Sequence, residues 1–173
     1  MFARIAVLAS ALALLGGCGN DGGASGTDAG PPDFDSGGVA PTVEIGTGES
    51  AFVPIAASGA ALELVMGPQG GWHVLLTCRF TGLSPDGLLL RYDVGEAGRD
   101  AMWNMTAEYA LTRDRVTPDG TGFVRVGDRA VFDITGPADV VGKMLTVRAC
   151  LEPPGGATPV CDSRLVQIVD EIP

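Results

Sequence analysis

From Thr42 onward the chain alternates apolar and polar residues in short runs, and glycine- or proline-containing turns separate them. A period of two puts every second side chain on the same face of an extended strand. A chain made only of such runs buries its apolar faces by packing sheet against sheet. Val43 and Ile45 open the series, followed by Phe52, Val53 and Ile55, then Leu62, Leu64 and Met66. The run 72–81 sets Trp72, Val74, Leu76, Cys78 and Phe80 on one face and His73, Leu75, Thr77, Arg79 and Thr81 on the other. Leu88, Leu90, Tyr92 and Val94 form the next inward set, with Arg91 and Asp93 outward. Trp103, Met105, Ala107, Tyr109 and Leu111 alternate with Asn104, Thr106 and Glu108. Further strands are expected at 123–126, 130–134, Met144–Glu152 and 164–169. No long stretch shows a 3.6-residue period between capping residues, so the expected fold is all-β, a single antiparallel β-sandwich spanning 42–173.

The first 41 residues are of a different kind. Arg4 precedes an apolar run of about a dozen residues, too short for the roughly 20 that cross a bilayer as a helix. The run ends in Leu15-Gly16-Gly17-Cys18, which resembles the lipobox of bacterial lipoproteins. That resemblance implies a signal peptide over 1–17, cleavage after Gly17, and a diacylglycerol thioether and acylated amine on Cys18. Two or three acyl chains suffice for stable anchoring. Gly19 rather than Asp after the cysteine favours the outer membrane of a Gram-negative bacterium. Residues 18–41 are rich in Gly, Asp, Ser and Pro and hold almost no large apolar groups, so they read as a flexible tether reaching roughly 25 Å. Asp21, Asp28, Asp33 and Asp35 lack the DxDxDG spacing of a calcium loop and read as charges that keep the tether extended.

Cys78, Cys150 and Cys161 remain for the domain. In Met144–Glu152 the apolar face is Leu145, Val147, Ala149 and Leu151, which turns Cys150 outward, whereas Cys78 points inward with Val74 and Phe80. A Cys78–Cys150 bridge conflicts with that register. Cys150 and Cys161 flank a ten-residue loop, LEPPGGATPV, and their pairing would staple a terminal hairpin by roughly 3 kcal/mol of loop-closure entropy. Cys78 is then left as a buried free thiol.

The only histidine follows the turn Gly67-Pro68-Gln69-Gly70-Gly71. A phosphate-binding glycine loop leads into a helix N-terminus with a lysine nearby; this one leads into a strand. His73 has no second histidine with which to share a metal, and no GxSxG or comparable motif accompanies it, so it is expected to face solvent or bond locally.

The lipobox, the Asp/Gly tether with its DAG tripeptide, and the GPQGGWHV turn and strand resemble lipoproteins plentiful in myxobacteria. DVVGKMLTVRACLE, followed by a loop and SRLVQIVD, is similar to the last two strands of an immunoglobulin-like sandwich in that group. The resemblance supplies a fold and an anchor, with no catalytic residues.

The sequence therefore reads as a non-enzymatic, lipid-anchored envelope protein without a cofactor. Its expected partners are the membrane, through Cys18, and a protein or polysaccharide of the envelope, met by the loops 95–101 and 152–160. The net charge of −10 opposes nucleic acid and anionic lipid. The alternative is a carbohydrate-binding module or hydrolase accessory domain, for which Asp114/Asp119 and Asp128/Asp133 would be the acid–base pairs. Glycan binding, however, favours exposed aromatics, and Trp72, Trp103, Tyr92 and Tyr109 are all expected inward. Asp86, Asp93, Glu96, Asp100 and Asp139 add carboxylates that could bind calcium, but no spacing selects a group of them.

Overall fold

The computed structural model describes residues 38–96, 98 and 102–170, so the signal segment, Cys18 and most of the tether lie outside the described residues. Two sheets carry the fold. The first has the order β2 (Val53–Pro54), β1 (Thr42–Thr47), β5 (Trp72–Thr81), β9 (Gly122–Phe132), β8 (Thr117–Asp119), and β4 (Val65–Met66) also pairs with β5. The second runs β3 (Ser58–Glu63), β11 (Val160–Val169), β10 (Met144–Glu152), β6 (Leu89–Glu96), β7 (Ala107–Ala110). All neighbours are antiparallel except β3, which runs parallel to β11. The expected sandwich is thus observed. Its order matches the immunoglobulin arrangement, in which strands A, B, E and D face C, F and G.

The alternation seen in the sequence becomes the core. Val74, Leu76, Cys78 and Phe80 of β5 are fully buried, and so are Leu90, Tyr92 and Val94 of β6 and Leu145, Val147, Ala149 and Leu151 of β10. Two expectations need correction. Residues 123–126 and 130–134 are not separate strands: β9 runs through the first and into the second, ending at Phe132, and is interrupted by a bulge at Gly127, whose φ of 72° suits glycine. The run Trp103–Leu111 forms a strand only at Ala107–Ala110, and Met105, expected inward, is 59% exposed. Asn104 explains the difference. Its side chain accepts from Val94 N–H (2.7 Å) and donates to the carbonyls of Tyr92 and Met105 (both 2.9 Å), holding the segment as a bridge between sheets.

The bulge has a consequence for charge. Residues three apart in a regular strand face opposite sides. Here Leu76 pairs with Asp128 and Cys78 with Arg125, so both charged residues turn inward. Asp128 is buried, with Arg125 Nε at 2.8 Å and the Tyr92 hydroxyl, from the opposite sheet, donating at 3.3 Å. Burial pushes the Asp128 carboxyl up, and the Arg125 guanidinium opposes that shift.

Cys150 and Cys161 are directly opposite in the β10–β11 ladder and form a disulfide, while Cys78 is free and buried. Cys150 lies on the outer face as its register requires, yet is only 2% exposed. Desolvation raises the Cys78 thiol pKa, helped by the nearby carboxylates of Asp128 and Asp162, which makes it a poor nucleophile.

Two outcomes follow for stability. Replacing Arg125 by Met strands the Asp128 charge and is expected to cost about 3 kcal/mol in urea unfolding. Adding Asp128→Asn should restore more than half of that loss; a double variant no better than the single one would show that the pair is not coupled. Substituting both Cys150 and Cys161 by Ala should cost about 3 kcal/mol. Native protein should leave Cys78 unalkylated, a pattern that rapid labelling without denaturant would contradict.

Candidate functional site

Strand directions give the sandwich two distinct ends. β1 begins at Thr42 opposite Thr81, the last residue of β5, and the Thr42 and Thr81 hydroxyls are 2.7 Å apart. The chain therefore joins the sandwich where β5 finishes, beside the 152–160 loop that leads from β10 to β11. The other end holds the start of β5, the ends of β6, β9 and β11, and the start of β10. The two loops expected to make contacts, 95–101 and 152–160, thus lie at opposite ends. Ala97 and residues 99–101 are outside the described residues.

The end remote from Thr42 is where unexplained apolar surface collects. Met66 (64% exposed) sits opposite Trp72, and Met102 (54%) bridges to Gly95 at the end of β6. Met105 donates its N–H to the Val131 carbonyl (2.8 Å), and Met144 opens β10. Every methionine of the described residues is therefore exposed in this half of the domain. Trp72 and Trp103 are partly buried against the core there, and the Lys143 ammonium lies 4.1 Å from the Trp103 ring centroid. Tyr92 is fully buried and Tyr109 half-buried, so the aromatics expected inward do pack inward.

His73 departs from expectation. It was read as facing solvent or bonding locally, but it is only 6% exposed, and its side chain makes no hydrogen bond with a described residue. The cover comes from β4, which pairs Val65 with His73, and from the following loop, which folds back over the strand. That loop is closed by Gly67 N–H to the Gly71 carbonyl (2.9 Å) and Gly70 N–H to the Gly67 carbonyl (3.0 Å). Gly70 and Gly71 adopt φ of 80° and 90°, which only glycine takes readily. The result is a cavity of about 340 Å³ lined by this loop, His73, Arg129 and Val131. Burial, then the Arg129 charge, lowers the His73 pKa from its ordinary 6.5. Sequence reasoning missed Arg129 altogether, since an arginine on the polar face of a strand carries no signal of its own.

The carboxylates considered for acid–base or calcium chemistry are dispersed. Asp86 pairs with Arg113 (3.0 Å), Asp93 with Arg91 (3.4 Å), Glu96 with Lys143 (3.8 Å) and Asp119 with Arg79 (3.7 Å). Asp139 accepts from Thr135 and Gly136 in a tight turn, which lowers its pKa, and the exposed Asp114 is lowered by its bond with Thr112. Asp128 and Asp133 lie on opposite faces of their segment, one buried and one exposed, and so do not share a site. Among the described residues no three His, Cys, Asp or Glu side chains form a group able to hold a metal ion. No protein-family model matches the chain, and no curated protein is significantly similar to it.

The His73 environment predicts a pH effect. A histidine whose folded pKa lies below its unfolded value leaves the unfolded chain binding more protons, so its contribution is present above about pH 6.5 and is lost as pH falls below that. The fall in Tm between about pH 7.5 and pH 5 should therefore be larger in the wild type than in His73→Gln. Equal falls would show that the imidazole titrates as it does in water.

Proposed function

We propose that this protein is a lipid-anchored envelope protein whose sandwich is a non-catalytic interaction domain. The observation that carries this reading is the concentration of Met66, Met102, Met105 and Met144, all exposed, around the end remote from Thr42. Exposed methionines are costly to leave in water and adaptable in contact, so they suit a surface that meets a partner. Cys18 would hold the protein at the outer membrane, and the Gly/Asp tether would join the end of the domain opposite the methionines. The methionine end is thereby free to contact an envelope protein. The engagement of nearly all nearby carboxylates by arginine or lysine, and the inert setting of Cys78, support a role in binding over one in chemistry.

The test is made in membranes of the native host with photo-methionine incorporated. The wild-type chain should fractionate with membranes and give discrete cross-linked species on irradiation, while Cys18→Ser should appear in the soluble fraction. Replacing Met66, Met102 and Met105 together by Gln should remove most of the cross-linked product without changing the unfolding midpoint by more than a few degrees. A wild-type chain that stays soluble overturns the anchor, and irradiation that yields only monomer overturns the contact surface.

A further inference from the structure

We infer that the cavity between the 67–71 loop and the outer face of the first sheet is a binding site for a small organic carboxylate, with Arg129 and His73 as its two recognition groups. Three observations meet there. The first is His73 itself, a polar side chain 6% exposed, without a hydrogen-bond partner among the described residues, that lines the cavity. A ring nitrogen that faces a cavity can take a hydrogen-bond partner from a ligand.

The second is Arg129. It is exposed, forms no ion pair with a described residue, and uses only its backbone in structure, with N–H donating to the Tyr109 hydroxyl (3.0 Å) and its carbonyl accepting from it (2.8 Å). Its guanidinium is thus available, whereas Arg79, Arg91, Arg113, Arg125 and Arg164 are all committed to carboxylates. Glu108 shares the neighbouring cavity with Arg129 but makes no ion pair with it.

The third is register. His73 pairs with Val131 and Leu75 with Arg129, so His73 and Arg129 are diagonal neighbours on one face. Diagonal positions on adjacent strands are roughly 7–8 Å apart, a gap that a carboxylate can span while accepting from both side chains. The cavity volume of about 340 Å³ fits a small acid, with Val131 and Pro68 against its apolar part.

The chain has one histidine, so a single imidazole resonance reports this cavity without assignment. Isobutyrate titrated into the isolated protein near pH 6.5 should shift that resonance saturably and toward the protonated form, because an adjacent anion favours imidazolium. Isobutyramide, the neutral isostere, should leave it in place. Arg129→Gln should weaken the apparent affinity about tenfold or more, and Arg129→Lys, which keeps charge but loses the planar fork, should fall between. No saturable shift with isobutyrate overturns the site. A shift equal for acid and amide, or unchanged in both arginine variants, overturns the carboxylate assignment. An unchanged amide fingerprint in the variants excludes misfolding as the cause of any loss.

Discussion

A single buried carboxylate organises the middle of this sandwich. Asp128 is the only Asp, Glu, Lys or Arg that is buried among the described residues, and it is reached from both sheets: Arg125 from its own strand and Tyr92 from β6 across the core. Burying a charge is unfavourable unless it is paired and hydrogen-bonded, so the geometry of β9 near Gly127 is tightly determined by what Asp128 needs. Without the extra residue of the bulge, Arg125 and Asp128 would face opposite sides and the ion pair could not form. The same bulge places Arg129 on the outer face, beside the His73 cavity. The core charge and the surface site are therefore consequences of one local irregularity.

Antibody domains join their sheets by a disulfide between strands B and F. Cys78 lies on the B-equivalent strand β5, facing inward, but the F-equivalent strand β10 turns Ala149 and Leu151 inward and Cys150 outward. The cysteine of β10 is bonded instead to its neighbour in the same sheet, so it does not join the two sheets. Polar contacts do that. Tyr109 of the second sheet grips the Arg129 backbone along one side of the sandwich. Asp162 of β11 accepts from Ile45 N–H of β1 (3.0 Å) along the other. Tyr92 and Asp128 link the centre. Hydrogen bonds to charged groups, and to backbone at sheet edges, fix relative position more narrowly than apolar contact alone, which is non-directional.

Much of this could be read from the sequence, for a reason that also defines where reading failed. β5 and β10 are flanked on both sides within their sheets, their inward residues are buried at every second position, and their expected bounds match. The disulfide followed from the same parity. Errors arose where another segment supplies burial or support. Gly127 interrupts the apolar pattern of β9 and suggests a break, yet pairing with β5 continues on either side of it. Trp103 and Met105 alternate as a strand should, but the Asn104 side chain takes the hydrogen bonds that a neighbouring strand would offer. His73 sits on a polar face by parity and is buried by a loop that starts at Gly67, which no pattern local to β5 can reveal.

The separation of the two ends connects these features to the proposed role. At the end remote from Thr42 four methionines are left in solvent, and His73 and Arg129 line one cavity. At the Thr42 end, by contrast, Asp86 binds Arg113 through both its backbone N–H and its guanidinium, and Arg79 is shared between Glu44 and Asp119. Exposed apolar side chains gathered in one region beside an open cavity are best explained by a demand from outside the fold. The methionines would meet that demand by apolar contact and the His73–Arg129 cavity by charge. The two surfaces adjoin through Met105 and Val131, which share one backbone hydrogen bond. A ligand seated beside Val131 would thus lie next to the segment that displays Met105, so occupancy of the cavity and engagement of a partner would bear on the same few residues.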